Sequence, residues 1–176
     1  MIKSLHIRKF FRIDKLTINK LSKVNIIGGK PGSGKTKILK YIDNIYWYEH
    51  EHYRIWIYNR FYNSSRLYND SLQNIEKIGK YFNQKIIPGV TNLFLIDAID
   101  AGMHPDYYSL LIKSFPIDDN SQLFITTYCR EFIRVANSIL GDDMAYIRLE
   151  NDNGCFAAYE YDSQDLEYSF EMGWDI

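Results

Sequence analysis

The stretch Val24-Asn-Ile-Ile-Gly-Gly29-Lys-Pro-Gly-Ser-Gly34-Lys35-Thr36-Lys37 decides how the rest of the chain is read. Its first four residues are a short, largely apolar run ending on a glycine pair, the pattern of a buried strand that passes straight into a loop. After Gly34, the residues Ile38, Leu39, Ile42 and Ile45 recur at three- and four-residue steps, so a helix with one apolar face follows. Between strand and helix, Gly29 to Thr36 satisfies G-x-x-x-x-G-K-[ST] in the structural context that the motif requires. Glycines let the backbone fold tightly enough for successive N–H groups to point inward, and the helix start adds the positive end of its dipole. Such a loop grips phosphate. Lys35 is expected to reach the β- and γ-phosphates and Thr36 to place its hydroxyl on Mg²⁺, an ion that takes oxygen ligands. The expected cofactors are ATP and Mg²⁺, and the nucleotide-binding set is Gly29, Lys30, Pro31, Gly32, Ser33, Gly34, Lys35, Thr36 and Lys37.

Working outward, Leu93-Phe-Leu-Ile-Asp97 is a second buried strand that closes on an acid, and Asp97 is the predicted second metal ligand beside Thr36. Gln122-Leu-Phe-Ile-Thr126 is a third buried strand, and Arg54-Ile-Trp-Ile-Tyr58 suggests another. Before the loop, Ile2, Leu5, Ile7 and Phe10, then Leu16 and Ile18, read as short strands with a turn near Asp14. Helices are expected from Asp70 or Ser71 along Leu72, Ile75, Ile78 and Phe82 to the stop at Pro88-Gly89, and from Pro105 with Leu110, Leu111 and Phe115 inside. A further helix is expected over 130–140. Ala145 to Glu150 and Cys155 to Tyr161 alternate around Asn151-Asp-Asn-Gly154, a hairpin signal, and the tail from Ser163 to Met172 is expected to be helical. The fold class is α/β: a P-loop NTPase with a mostly parallel sheet flanked by helices, an N-terminal antiparallel portion and a C-terminal β-hairpin. A length of 176 residues suits one such domain spanning 1–176.

Composition narrows the function classes. No stretch approaches the ~18 uninterrupted apolar residues of a membrane helix, and the start MIKSLHIRKF lacks the apolar region of a secretory signal, so a cytoplasmic, non-membrane protein is expected. Cys129 and Cys155 have no metal-type spacing and read as reduced structural thiols. Charge is polarised: eleven basic residues precede Tyr41 against Asp14 alone, whereas ten acidic residues from Asp142 onward face only Arg148. Packing or separate solvation of the two ends is the favoured reading. The sharper one puts a polyanion on the basic end and a basic partner on the acidic end. His50-Glu51-His52 resembles a metal pair only superficially, since residues two apart diverge on a helix.

These blocks together resemble the ABC-type ATPases of the chromosome-maintenance, recombination-repair and overcoming-lysogenization-defect (OLD) group. Ile2 to Arg12 is similar to that group's first strand, Leu95-Ile-Asp-Ala-Ile-Asp-Ala-Gly-Met-His-Pro105 to its Walker B strand and turn, and Gln122 to Phe132 to its switch strand. The resemblance implies ATP-driven action through a protein partner or a homodimer, in DNA repair or phage defence. It also marks departures. Ala98 stands where the group carries the glutamate that positions the attacking water, and Tyr128 where it carries the histidine that senses the γ-phosphate. A Ser-Gly signature ahead of Leu93 is absent, and the stretch from Thr36 to Leu93 leaves little room for a coiled-coil arm, which weighs against a self-made ATP sandwich.

Three functions follow. The first is an ATP-binding protein with weak or absent hydrolysis, a pseudo-ATPase working through its partner. The second is an active ATPase in which Asp100, Asp106 or a partner-supplied residue replaces the glutamate, so that Lys35, Asp97 and Asp100 form the catalytic set. The third is a small P-loop kinase using Arg54, Arg60 and Arg66 as a lid. His104, in the His-Pro turn, reads as structural. DNA contact through the basic start and through Tyr53, Trp56, Tyr58, Phe61 and Tyr62 is weighed against a core role for those aromatics, and the core role is favoured.

Overall fold

A computed structural model describes residues 1–49, 53–57, 75, 79, 80, 82, 84, 86, 87, 91–100 and 103–173. Apolar runs and alternating segments become β1 (Leu5–Phe10), β2 (Ile13–Ile18), β3 (Val24–Gly28), β4 (Tyr53–Ile57), β5 (Asn92–Ile96), β6 (Ser121–Thr126), β7 (Met144–Asp152) and β8 (Cys155–Tyr161). The helices are α1 (Lys35–Glu49), α2 (Tyr108–Lys113), α3 (Arg130–Leu140) and α4 (Ser163–Glu171). Ile75, Gly79, Lys80, Phe82 and Gln84 are also helical, with Ile75 and Phe82 buried as their spacing predicts. Asp70, Ser71, Leu72, Ile78 and the Pro88-Gly89 stop lie outside the described residues, as do His50-Glu51-His52, Tyr58, Arg60, Phe61, Tyr62 and Arg66.

The main sheet has the order β4-β5-β6-β3-β7-β8, parallel through β7 and antiparallel at β8; β1 and β2 form a separate antiparallel hairpin. Strands β3, β5 and β6 are buried at every position, which explains why they read as unbroken runs rather than alternations. Side chains still alternate between two cores. Val24, Ile26, Phe94 and Ile96 face α2, α3 and α4, whereas Ile27, Leu93, Leu95 and Phe124 face α1 and the β1–β2 hairpin. From α1, Ile38, Leu39 and Ile42 are buried in the same core as Ile7, Ile13 and Leu16 of the hairpin. Ile45 is only half-buried.

Two sequence expectations need correction. The first hairpin turns at Phe11 and Arg12 rather than near Asp14, because Phe10 pairs with Ile13 and Asp14 falls inside β2. Leu110 is 46% exposed, and the buried side of α2 is Tyr108, Leu111 and Ile112; a 3₁₀ turn over Pro105–Tyr107 rotates the helix relative to one begun directly at Pro105.

Buried polar side chains tie the chain's start to the sheet. The Gln122 amide receives the Ile2 N–H at 2.7 Å and donates to the carbonyls of Ile2 and Ser22, each at 2.8 Å. Satisfied in this way, it avoids the roughly 1–3 kcal/mol cost of an orphaned buried group. The polarised charge is partly resolved by packing. Glu160 on β8 accepts from the backbone N–H groups of Asn19 and Lys20, and Lys23 lies 3.3 Å from Asp119 and 3.5 Å from Asp143.

Candidate functional site

The carboxyl ends of β3, β5, β6 and β7 lie side by side, and the parallel register decides which residues meet there. Ile27 pairs with Thr126, Gly28 with Arg148, and Ile96 with Ile125, so Asp97, one residue beyond β5, comes level with Thr126. In open α/β sheets, ligands bind in the crevice at this edge.

The glycine loop leaves β3 at Gly28 and enters α1 at Lys35. Gly29 has φ 130°, and a β-carbon there would run into the Leu149 carbonyl oxygen of β7. Only glycine meets both demands. The loop closes with Ser33 N–H donating to the Lys30 carbonyl at 3.1 Å, and α1 starts with Lys37 and Ile38 N–H groups donating to Gly34 at 2.9 and 3.1 Å. Lys35 is 3% exposed, and its ammonium folds back to donate to the carbonyls of Gly29 at 2.5 Å and Lys30 at 3.0 Å. The Tyr128 ring covers it, with Nζ 3.7 Å from the ring centroid. Withdrawal from water lowers the Lys35 pKa to about 8, against the opposing pull of Asp97 and Asp100.

Thr36 donates its hydroxyl to the Asp97 carboxylate at 3.0 and 3.2 Å, and Thr126 donates to Asp97 Oδ1 at 2.5 Å while accepting the Ala98 N–H at 2.8 Å. Asp97 is therefore held by two hydroxyls from different elements. Ala98 sits at φ 52°, a left-handed conformation that costs a residue with a β-carbon roughly 1–2 kcal/mol. Asp100 is 8% exposed; its Oδ1 has no hydrogen-bond partner among the described residues, although the carboxylate is held by the Thr127 hydroxyl and the Tyr128 backbone. Burial raises its pKa above the usual carboxylate value.

The fold thus brings Lys35, Thr36, Asp97 and Asp100 to one sheet edge. Other candidates sit elsewhere. Asp106 is exposed, and its backbone N–H donates to His104 Nδ1 at 3.3 Å, so His104 caps the turn after Met103. Lys30, Pro31 and Gly32 face outward, and Lys37 lies 5.4 Å from the Phe156 ring. Thr126 and Thr127 escaped the sequence reading, as did the placement of Tyr128 over Lys35. Their signal was the polar pair ending β6, whose meaning depends on β6 lying between β3 and β5. Among the described residues no cluster of three or more metal-ligating His, Cys, Asp or Glu side chains occurs, and both cysteines are free thiols. No helix among those residues is long and apolar enough to cross a membrane.

Beside the glycine loop lies a cavity of about 790 Å³, walled by Gly29 to Ser33, by Tyr128, Arg130 and Ile133 after β6, and by β7 from Arg148 to Asp152.

No family model and no curated protein sequence matches the chain. Solved structures similar to it include the SmcHead bound to the C-winged helix domain of ScpA, at 16% identity and TM-score 0.39, covering 57% of this chain and 27% of that one. Another is the HORMA:CdnC:Trip13 complex of E. coli MS115-1, at 13% identity and TM-score 0.47, covering 76% and 50%. The chain spans half or less of the length of each.

Proposed function

We propose that this chain is a P-loop protein that binds Mg·ATP through Gly29 to Lys37, turns it over slowly if at all, and acts through a protein partner. The observation that carries the reading is the bond between Thr36 and Asp97 beside a glycine loop whose lysine lies within it. The donor set suits the ion: a hydroxyl and a carboxylate about 3 Å apart are hard oxygen ligands, and Mg²⁺ bound there would keep water in its other positions. Bound Mg²⁺ neutralises phosphate charge. The chain's own residues do the rest. Loop amides and the start of α1 bind phosphate oxygens, Lys35 exchanges the Gly29 and Lys30 carbonyls for the β- and γ-phosphates, and Thr126 keeps the Asp97 carboxylate aimed at Thr36.

Slow turnover follows from Ala98, whose methyl group accepts no proton. Lack of a positioned base costs about 10²–10⁴ in rate. Calorimetry with Mg·ATP, run beside a phosphate-release assay, tests both halves. Binding with release near background supports the proposal; turnover above ~1 s⁻¹, the low end of ordinary enzymes, refutes the second half. The active-ATPase reading has its own support in Asp100, whose buried, half-satisfied carboxylate adjoins Lys35. Under that reading Asp100→Asn abolishes phosphate release while sparing ATP affinity; an unchanged rate removes it.

A further inference from the structure

The contact between the Tyr128 ring and the Lys35 ammonium has no part in the phosphate-binding steps above. We propose that Tyr128 is a lid on the phosphate loop, closed over Lys35 in the free protein and displaced when phosphate takes its place; this rests on the phosphate-loop reading above. Such a lid acts before phosphate arrives, unlike the histidine that Tyr128 replaces, which senses a phosphate already bound.

In the free protein the ammonium is fully engaged. Lys35 is buried, and an ammonium has three donors and no acceptor. Nζ donates to the Gly29 carbonyl at 2.5 Å, to the Lys30 carbonyl at 3.0 Å and, more distantly, to the Ser33 hydroxyl at 3.5 Å. The Tyr128 ring lies over the same nitrogen, 3.7 Å from Nζ to the ring centroid. An aromatic face carries partial negative charge, so it attracts the ammonium and repels phosphate. Ring and phosphate therefore compete for one cation.

The backbone that carries this ring is anchored. Thr127 N–H donates to the Ile27 carbonyl at 3.1 Å, the Thr127 hydroxyl accepts the Cys129 N–H at 2.9 Å, and the Tyr128 backbone bonds the Asp100 carboxylate. The side chain, in contrast, is 58% exposed and helps to wall the cavity of about 790 Å³, so it has room to turn about its own bonds while the backbone stays in place. The strength of the contact suits a reversible lid. A cation held against an aromatic face favours the closed form by a factor of about three to thirty. With the ring closed in about nine molecules of ten, only one in ten is competent, and the apparent Kd for phosphate rises about tenfold.

Calorimetry with Mg·ATP and with Mg²⁺ and inorganic tripolyphosphate, on wild type, Tyr128→Ala and Tyr128→Phe, tests the lid. Tripolyphosphate is the decisive ligand, because it has no base on which a ring could stack. Tyr128→Ala should bind it about three- to tenfold more tightly than wild type, and Tyr128→Phe, which keeps the aromatic face, should match wild type. A tyrosine that merely supports the loop gives the opposite sign, so unchanged or weaker tripolyphosphate binding by Tyr128→Ala overturns the lid and leaves the phosphate loop standing. An equal gain in both variants overturns it too, since the hydroxyl and not the ring would then be responsible. If no form of the protein binds either compound, the loop reading fails and the lid fails with it.

Discussion

If the chain binds Mg·ATP as proposed, Lys35 should make the affinity a steep function of pH. An exposed lysine stays charged to well above pH 9, but burial places this one at about pH 8, so its charge is lost just above neutrality in the free protein. Phosphate beside it restores the charged form, and binding above pH 8 must therefore take up a proton. ATP contributes little in that range, because phosphate esters lose their last proton near pH 6. With a free-state pKa of about 8, some one molecule in eleven is competent at pH 9, so the Kd for Mg·ATP should rise about elevenfold there and tenfold per further pH unit. Isothermal titration between about pH 6.5 and 9.5, in two buffers of different ionisation enthalpy, measures both the affinity and the proton uptake. Lys35→Arg should flatten the profile, since a guanidinium keeps its charge throughout. A wild-type Kd that stays constant to pH 9.5 would show that Lys35 keeps its charge without a ligand, and the reasoning would fall.

Stability should carry the same signature with the opposite benefit. The lowered pKa means that the charged lysine costs stability below about pH 8, a cost that fades as pH climbs from 8 toward 10.5; Lys35→Met should therefore melt higher than wild type at pH 7, with the gap narrowing across that window, and parallel melting curves would contradict this. Thr126→Val removes a hydroxyl that both donates to Asp97 and accepts from Ala98, and urea unfolding should report a loss of about 1–3 kcal/mol. Gly29→Ala meets both a positive φ and the Leu149 carbonyl, so it should cost more than the ~1 kcal/mol of a simple glycine effect, and a neutral result would place the loop elsewhere.

The parallel strands were legible because they are buried on both faces: Val24 to Ile27 and Leu93 to Ile96 cannot be mistaken for solvated segments. The glycine loop was legible because its spacing encodes backbone geometry locally. What escaped was lateral. Thr126 reaches Asp97 only because β6 inserts between β3 and β5, and chain order says nothing of which strand becomes the neighbour. Tyr128 read as the replacement for a histidine, whereas its ring rests on the Lys35 ammonium, a contact between residues far apart in sequence. The rotation that exposes Leu110 turns on a single 3₁₀ turn, a distinction too local for hydrophobic periodicity to capture.

The ribbon of β7 and β8 is fastened at both ends. Near its tip, Asn151 holds the Gly32 carbonyl; toward its other end, Glu160 clasps the amides of Asn19 and Lys20 that lead out of the first hairpin. The loop's crest and the segment leading out of the first hairpin are thus both tied to β7 and β8 by hydrogen bonds that involve neither β5 nor β6.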